Sequence, residues 1–488
     1  MNETSSAFTG IPLSRLGVEA SPSGVGPRRV VSPVEWVVAG IILLVTLFLI
    51  FPEVRGMATM SLYNDEIYTV QKFSSKGPRQ VLTDYRAPNN HMFYNLVNSV
   101  TRGSRSCLPG RARLFSFLSV AAMVVLVGRY FVQQGRPVLG ALLLFWLFAN
   151  LTYLDVILQA RGYGFLALGA SLCCMGTLRY FQRQATRDIV LVATAVWLAT
   201  WSVPSFIFFG GPLLLLVTGV SRDKRWLFAG MICLVLIVCS YWAVHVQLLH
   251  NADNYGDEWG EAFKSWEGLH SFLNKYLLFG WFWHYSWVTF LLFAALIAGA
   301  QALRRSEGTD LASLLIGAAV LVTFLICLKL RTPSLKSMSF IVVPLAFVAM
   351  QILHRLVYRE EAVLGPLIAH GAMVIGVIAL SWTIWRGFTY VPIENWLGTA
   401  RKIQSEFPKQ TGVLAPFRPE HLRAYLKSSD YPKVTTFNRE SFLRGELVVV
   451  DSSFRDRDNW DVKVLPKGFR TFVIPQQRGG YQRIYYYR

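Results

Sequence analysis

The chain has 488 residues, of which 53% are hydrophobic and only 16% charged, with a mean hydropathy of +0.38. A soluble domain carries about a quarter charged residues, so this composition excludes a disordered protein, a disulfide scaffold and an ordinary cytosolic enzyme, and points to a polytopic membrane protein. The net charge of +19 fits basic loops that set orientation and touch anionic lipid; no run of basic residues interleaved with aromatics suggests nucleic-acid binding.

Residues 1–33, rich in Ser, Gly and Pro, read as a disordered cytoplasmic tail and not as a signal peptide. Trp36 to Phe51 is charge-free and, with its flanks, long enough to span about 30 Å of hydrocarbon. Further apolar runs begin near Leu114, Val138, Gly162, Ile189, Pro204, Trp226, Tyr276, Leu311, Met338 and Val363, giving eleven candidate spans. Residues 34–387 therefore form a predicted all-α membrane domain. Cys173, Cys174, Cys233, Cys239 and Cys327 lie inside apolar runs and Cys107 alone lies outside, which leaves the loops no disulfide pair or metal quartet.

With the N-terminus inside, the inner loops hold Arg129 and Arg136; Arg179, Arg183 and Arg187; Arg222, Lys224 and Arg225; Arg304 and Arg305; and Arg355 and Arg359. All five are basic, as the positive-inside rule requires. The alternation depends on a break at Pro204–Pro212 that separates two spans. Eleven spans then put the C-terminus outside, with long outer segments at about 52–113, 249–275 and 388–488. The last is long enough for a small extracytoplasmic α/β domain: Glu446 to Asp451 reads as a buried strand and Asn395 to Phe407 as an amphipathic helix. It shows no triad, zinc pattern or phosphate-binding Gly loop, so its expected role is to support the site or bind acceptor.

The first outer loop contains Tyr63-Asn-Asp65-Glu66-Ile-Tyr68 and then Pro88-Asn89-Asn90-His91-Met92. Adjacent carboxylates near a membrane surface, followed by a Pro-Asn-Asn-His turn into an apolar helix, suit catalysis; they also suit solvated loop acids and a helix-capping histidine. Gln159-Ala160-Arg161-Gly162-Tyr163 opens a span at the same face, and Lys336 stands eight residues before Pro344.

In this order and location the segments resemble the GT-C fold membrane glycosyltransferases, nearest to the protein O-mannosyltransferase and lipid A aminoarabinose transferase group. The resemblance covers the membrane part. Asp65-Glu66 matches the Asp-Glu pair of the family's first outer loop, Asn89-Asn90-His91 its Asn-His segment, with Met92 where a Pro is usual, and Arg161-Gly162-Tyr163 its Ala-Arg-x-Tyr segment. Lys336 matches in part a basic-aromatic pair, being followed by Ser337. The resemblance implies transfer of a sugar from a polyprenyl phosphate to a lipid, polysaccharide or protein acceptor outside the cytoplasm, with inversion at the anomeric carbon; the polyprenyl carrier points to a bacterial inner membrane, with the endoplasmic reticulum as the alternative.

Such a reaction needs a base for the acceptor, cations for the departing phosphate and a groove for the lipid. Asp65 and Glu66 are the expected catalytic carboxylates, Asp65 as base and Glu66 orienting it or the acceptor. Arg161, Lys336, Arg331 and Lys329 are the expected phosphate cations, set in a wet cavity. Tyr63, Asn90, His91, Asp155, Tyr163 and Glu258 are expected to bind substrate or support the site, with Asp155 placed to pair with Arg161. An acid pair also suits a divalent cation through oxygen ligands, and His245 and His250 beside Asp253, Asp257, Glu258 and Glu261 suit either a loose metal site or a solvated acidic loop. Trp281, Trp283, Trp287, Trp382 and Trp385 read as an interfacial belt. A transporter or flippase for a lipid-linked saccharide is the alternative; it requires ionisable groups near mid-membrane and paired broken helices, whereas here the informative charges lie at outer ends.

Overall fold

A computed structural model describes residues 30–59, 62–85, 90–100, 109–250, 308–329, 335–358, 366–387 and 396–407, together with short stretches of the C-terminal region that include five strands. Residues 1–29 of the expected tail, the run from Tyr276, residues 251–275 of the second long loop with Glu258, Trp281, Trp283 and Trp287, and the Trp385 side chain lie outside the described residues.

The first helix, α1 (Pro33–Thr59), starts where Ser32 and Glu35 satisfy each other's backbone: Glu35 N–H donates to Ser32 Oγ at 3.2 Å and Ser32 N–H to Glu35 Oε2 at 3.0 Å. Pro33 at the first helical position loses no hydrogen bond there. The segment after α1, expected to lie outside, folds into short helices, α2 (Asn64–Lys72), α3 (Pro78–Thr83), α4 (Met92–Val100) and α5 (Pro109–Ala112). The chain then enters the bundle as α6 (Leu114–Gln133), α7 (Pro137–Ala149), α8 (Leu151–Leu158), α9 (Tyr163–Arg183), α10 (Thr186–Ser202), α11 (Ile207–Ser221) and α12 (Lys224–Tyr241). After the undescribed stretch come α13 (Gly308–Lys329), a 3-10 segment Leu335–Ile341 leading into α14 (Val342–Tyr358), and α15 (Pro366–Gly387).

Ten of the eleven apolar runs thus fall on helices. Among the described residues six helical stretches are long and apolar enough to cross a membrane: Pro33–Thr59, Leu114–Gln133, Tyr163–Arg183, Pro204–Ser221, Lys224–His250 and Lys336–Arg355. The protein is a multi-pass membrane protein. One departure from the even series of spans has a local cause. The run from Val138 is no single rod: α7 and α8 meet at 81°, and the Asn150 side chain at the joint caps α8 by accepting from Tyr153 N–H at 3.0 Å. The stretch Ile189–Val220 is two helices, as the alternation requires, because α10 stops at Ser202 and Pro204 opens a new turn.

Helix α9 is the hub, packing against α10, α6, α13 and α14. Its Gly169 makes close approach to α10 possible: a Cβ there would lie 2.6 Å from that of Ala199. Helix α12 is the opposite case, turning Leu227, Phe228, Met231, Leu234 and Val235 outward, as a lipid-facing helix should. One end of the bundle gathers the links Arg136–Gln351, Gln134–Gln182, Tyr180–Asp223 and Arg355–Asp310. The other end gathers α2, the 159–163 turn and Lys336.

The C-terminal region is an α/β unit, as expected. Helix α16 (Trp396–Glu406) buries Trp396, Thr399, Ala400 and Ile403, one face of a 3.6-residue period. Strands β1 (Val413–Leu414), β2 (Val434–Thr435), β3 (Leu447–Asp451), β4 (Arg470–Pro475) and β5 (Tyr481–Tyr486) form a sheet of order β2-β1-β3-β5-β4. β1 runs parallel to β2 and β3; β5 is antiparallel to β3 and β4, with Val449 opposite Ile484.

Candidate active site

The two adjacent acids of α2 face different surroundings. Helix α2 turns Glu66, Ile67 and Val70 inward and leaves Asp65 and Tyr68 toward the surface. The Glu66 side chain has no solvent exposure. Arg113, at the head of α6, grips it with two parallel bonds, Nε to Oε1 at 2.8 Å and Nη2 to Oε2 at 2.5 Å. Tyr63 N–H donates to Oε2 at 2.7 Å, and Ala160 N–H donates to Oε1. Arg113 also donates to the Met57 carbonyl. A buried carboxylate with this many donors, two of them on a guanidinium, is a satisfied joint. It ties the end of α1, the start of α2, the head of α6 and the 159–163 turn together.

One residue earlier, Asp65 is 44% exposed. Its Oδ2 accepts from Arg161 Nη1 at 3.0 Å and lies 3.8 Å from Lys336 Nζ. Its Oδ1 makes no hydrogen bond among the described residues. The register is simple: Glu66 holds the backbone of residue 160 while Asp65 holds the side chain of residue 161.

Arg161 is fixed from three sides. Its Nε donates to His91 Nε2 at 2.9 Å and its guanidinium lies 5.0 Å from the Tyr163 ring centroid. The turn beneath it is held by Ser116 Oγ, which donates to the Gln159 carbonyl at 2.5 Å. His91 is buried, stacks edge-on against Tyr163 at 5.0 Å and hydrogen-bonds the Ser202 backbone. Burial first, and the neighbouring Arg161 second, hold its imidazole well below the usual histidine range. It is therefore a neutral acceptor toward Arg161 and not a cation. Gly162 lets these parts meet: a Cβ there would lie 3.1 Å from Val203 Cγ2, 3.2 Å from His91 Cβ and 3.2 Å from the Ser202 carbonyl.

The other expected residues divide. Lys336 is 43% exposed and is carried by the 3-10 segment, which Ser205 Oγ anchors by donating to the Ser337 carbonyl at 2.9 Å. So Lys336 stands at an open edge, whereas Arg161 is buried, not set in the expected wet cavity. Asp155 does not pair with Arg161. It lies on α8 beyond the bend, where its Oδ1 accepts from the Tyr63 hydroxyl at 2.7 Å. Tyr63 thereby joins α2 to α8. Asn90 is fully buried and closes its own loop, donating to the carbonyls of Val81 at 2.8 Å and Asp84 at 2.6 Å and accepting from Asn95 at 3.0 Å. Arg331, Asn89, Glu258 and the Lys329 side chain lie outside the described residues.

As a divalent-cation pair the acids fit poorly: Glu66 has its oxygens engaged by four donors and Asp65 faces two cations. Among the described residues no three His, Cys, Asp or Glu side chains approach with metal-holding geometry. His245 Nδ1 is engaged with the Trp242 carbonyl at 2.7 Å.

Arg113 is not among the residues expected at the site. The signal for it in the sequence is a cation at the head of a span expected to begin outside, against the positive-inside bias.

No protein-family model matches the chain, and no curated protein matches it. Among solved structures, ArnT from Cupriavidus metallidurans bound to undecaprenyl phosphate superposes with a TM-score of 0.50 and 14% identity, over 93% of this chain and 98% of its own. The same protein in the apo state gives 0.50 and 14%, over 92% and 97%. The chain has the GT-C fold.

Proposed function

We propose that the protein is a glycosyltransferase that moves a sugar from a polyprenyl-phosphate donor to an extracytoplasmic acceptor, in one inverting displacement. The observation that carries this reading is the divided Asp65 carboxylate: Oδ2 holds Arg161 and Lys336, and Oδ1 is left to accept a proton. The acceptor's hydroxyl or amine gives its proton to Asp65 and its lone pair to the anomeric carbon. The bond from that carbon to the phosphate oxygen breaks, and the electron pair leaves on the lipid phosphate. Arg161 and Lys336 flank that position and meet the growing charge. Because phosphate charge rises toward the transition state, their contacts act on kcat.

The membrane, the lipid carrier and the sugar acceptor are the partners this reading implies, in a bacterial inner membrane with a cytoplasmic N-terminus and an outward C-terminal unit (about 388–488). The likeness to a structure holding undecaprenyl phosphate supports the carrier class. The placement of ion pairs disfavours a transporter: among the described residues those of the bundle sit at helix ends or in the turns between them.

The test is incubation of the purified full chain in nanodiscs with a panel of labelled polyprenyl-phosphate sugars, beside Asp65→Asn. Release of carrier phosphate with transfer or hydrolysis of the sugar, lost in Asp65→Asn, is expected. Translocation of intact lipid-linked sugar without cleavage contradicts the assignment.

A further inference from the structure

The C-terminal unit touches the catalytic loop at its most sensitive point. Leu62 is fully buried, so its backbone N–H cannot turn to water. Its partner is the Tyr425 hydroxyl, 363 residues away in the chain, at 2.7 Å. Leu62 precedes Tyr63, the N-cap of α2, and Asp65 stands in the first turn of that helix. Tyr425 is itself held: it follows the short helical turn at Leu422, and Arg423 ties that turn to β2 by donating to the Val434 carbonyl at 2.9 Å. Around this bond one buried apolar cluster contains Leu62, Ile67, Val70 and Ala160 from the loop side. It also contains Trp396, Ala400, Ile403, Val413 and Leu422 from the C-terminal unit. The cluster is thus continuous from the sheet to the turn that carries Arg161.

The geometry points to Tyr425 as a positioning residue: through Leu62 it sets where α2 begins, and with that where Asp65 meets Arg161, so that the active site is completed by the C-terminal unit. This inference deepens the proposed glycosyl transfer and rests on it. Catalytic groups displaced by about 1 Å lose up to a hundredfold in rate, and one hydroxyl that fixes the start of a helix acts in that range. Tyr425 acts on the site through the Leu62 backbone, so the effect is expected on kcat and not on donor KM.

The decisive comparison is Tyr425→Phe against Tyr431→Phe in the full chain. Tyr431 gives up a similar bond inside the same unit, to the Phe407 carbonyl at 3.1 Å, without reaching the loop. Tyr425→Phe is expected to lower kcat about tenfold with donor KM within about twofold of wild type. Hydrogen exchange in the peptide containing Leu62 should become faster. Tyr431→Phe should leave both unchanged. Wild-type kcat in Tyr425→Phe overturns the inference whatever the exchange shows, and so does an equal loss in Tyr431→Phe. If the wild-type protein transfers no sugar from any donor, it is the glycosyltransferase reading that fails; unchanged exchange at Leu62 in Tyr425→Phe then removes the positioning contact as well.

Discussion

The rim and the floor of the site use the same pair of groups, a carboxylate and a guanidinium, to opposite ends. On the floor, Glu66 and Arg113 are both without solvent exposure and every Glu66 oxygen is engaged. On the rim, Asp65 is 44% exposed, meets Arg161 through one oxygen only, and has Lys336 at 3.8 Å. A charge pair with its valences filled in a dry place holds structure. A charge pair with an open oxygen and an open cation beside water is available to a substrate. The lesson is that adjacency in sequence says nothing about shared role: one step along α2 rotates a side chain by about 100°, from rim to floor.

The comparison breaks most violently on the floor. Arg113→Ala leaves Glu66 buried and unpaired, which costs about 3–5 kcal/mol. Thermal unfolding of the purified protein should shift strongly down or the protein should fail to accumulate. A variant with wild-type stability would show that water reaches Glu66 and that floor and rim are not distinct.

Arg161→Ala comes next, and it acts on both regions. On the proposed reading, in which Arg161 meets the leaving phosphate, its loss is expected to reduce turnover by about 10²–10³-fold. Arg161 is also buried against His91, so stability should fall by about 1–3 kcal/mol. Arg161→Lys should recover only part of the rate, since one ammonium cannot serve His91 and Asp65 together. Lys336→Ala, at the open edge, should reduce kcat by about tenfold and leave stability within about 0.5 kcal/mol. Equal stability losses for Arg161→Ala and Lys336→Ala would erase the gradient from floor to rim.

The smallest effect is titration of His91. Its folded-state pKa lies below the ordinary value of 6.5, so the unfolded chain binds the extra proton more readily. Stability from this group is complete above about pH 6.5 and falls as pH drops through and below it. Protonation also removes the acceptor for Arg161 Nε. His91→Gln should flatten this acid limb of the unfolding profile; a limb of unchanged height in that variant assigns it to other groups.

Much of the fold was legible because membrane burial writes long apolar runs, and Ser32 and Glu35 with Pro33 mark the first helix start. Pro204 announced the break between α10 and α11, and Val448 to Val450 announced β3. The bend at Asn150 was not legible, since Asn150 interrupts an apolar run without Pro or Gly, and its capping of Tyr153 appears only in three dimensions. The site was legible as a set of polar residues at one end. Its division into rim and floor was not, because that depends on Arg113 lying behind α2. A trace was present: Glu66, Ile67 and Val70 share a helical face that Asp65 does not. Tyr425 carried no signal, since its partner is a backbone N–H far away in the chain.

The central claim is that Asp65 does chemistry while Glu66 holds structure. It is tested most directly by single-turnover transfer from a labelled polyprenyl-phosphate sugar, with thermal unfolding of the same samples, for Asp65→Asn and Glu66→Gln. Asp65→Asn should transfer at least about a hundredfold more slowly, still bind donor, and unfold at the wild-type temperature; Glu66→Gln should unfold markedly earlier. Wild-type transfer by Asp65→Asn, or unaltered unfolding of Glu66→Gln with transfer abolished, would contradict the account and move the base to Glu66.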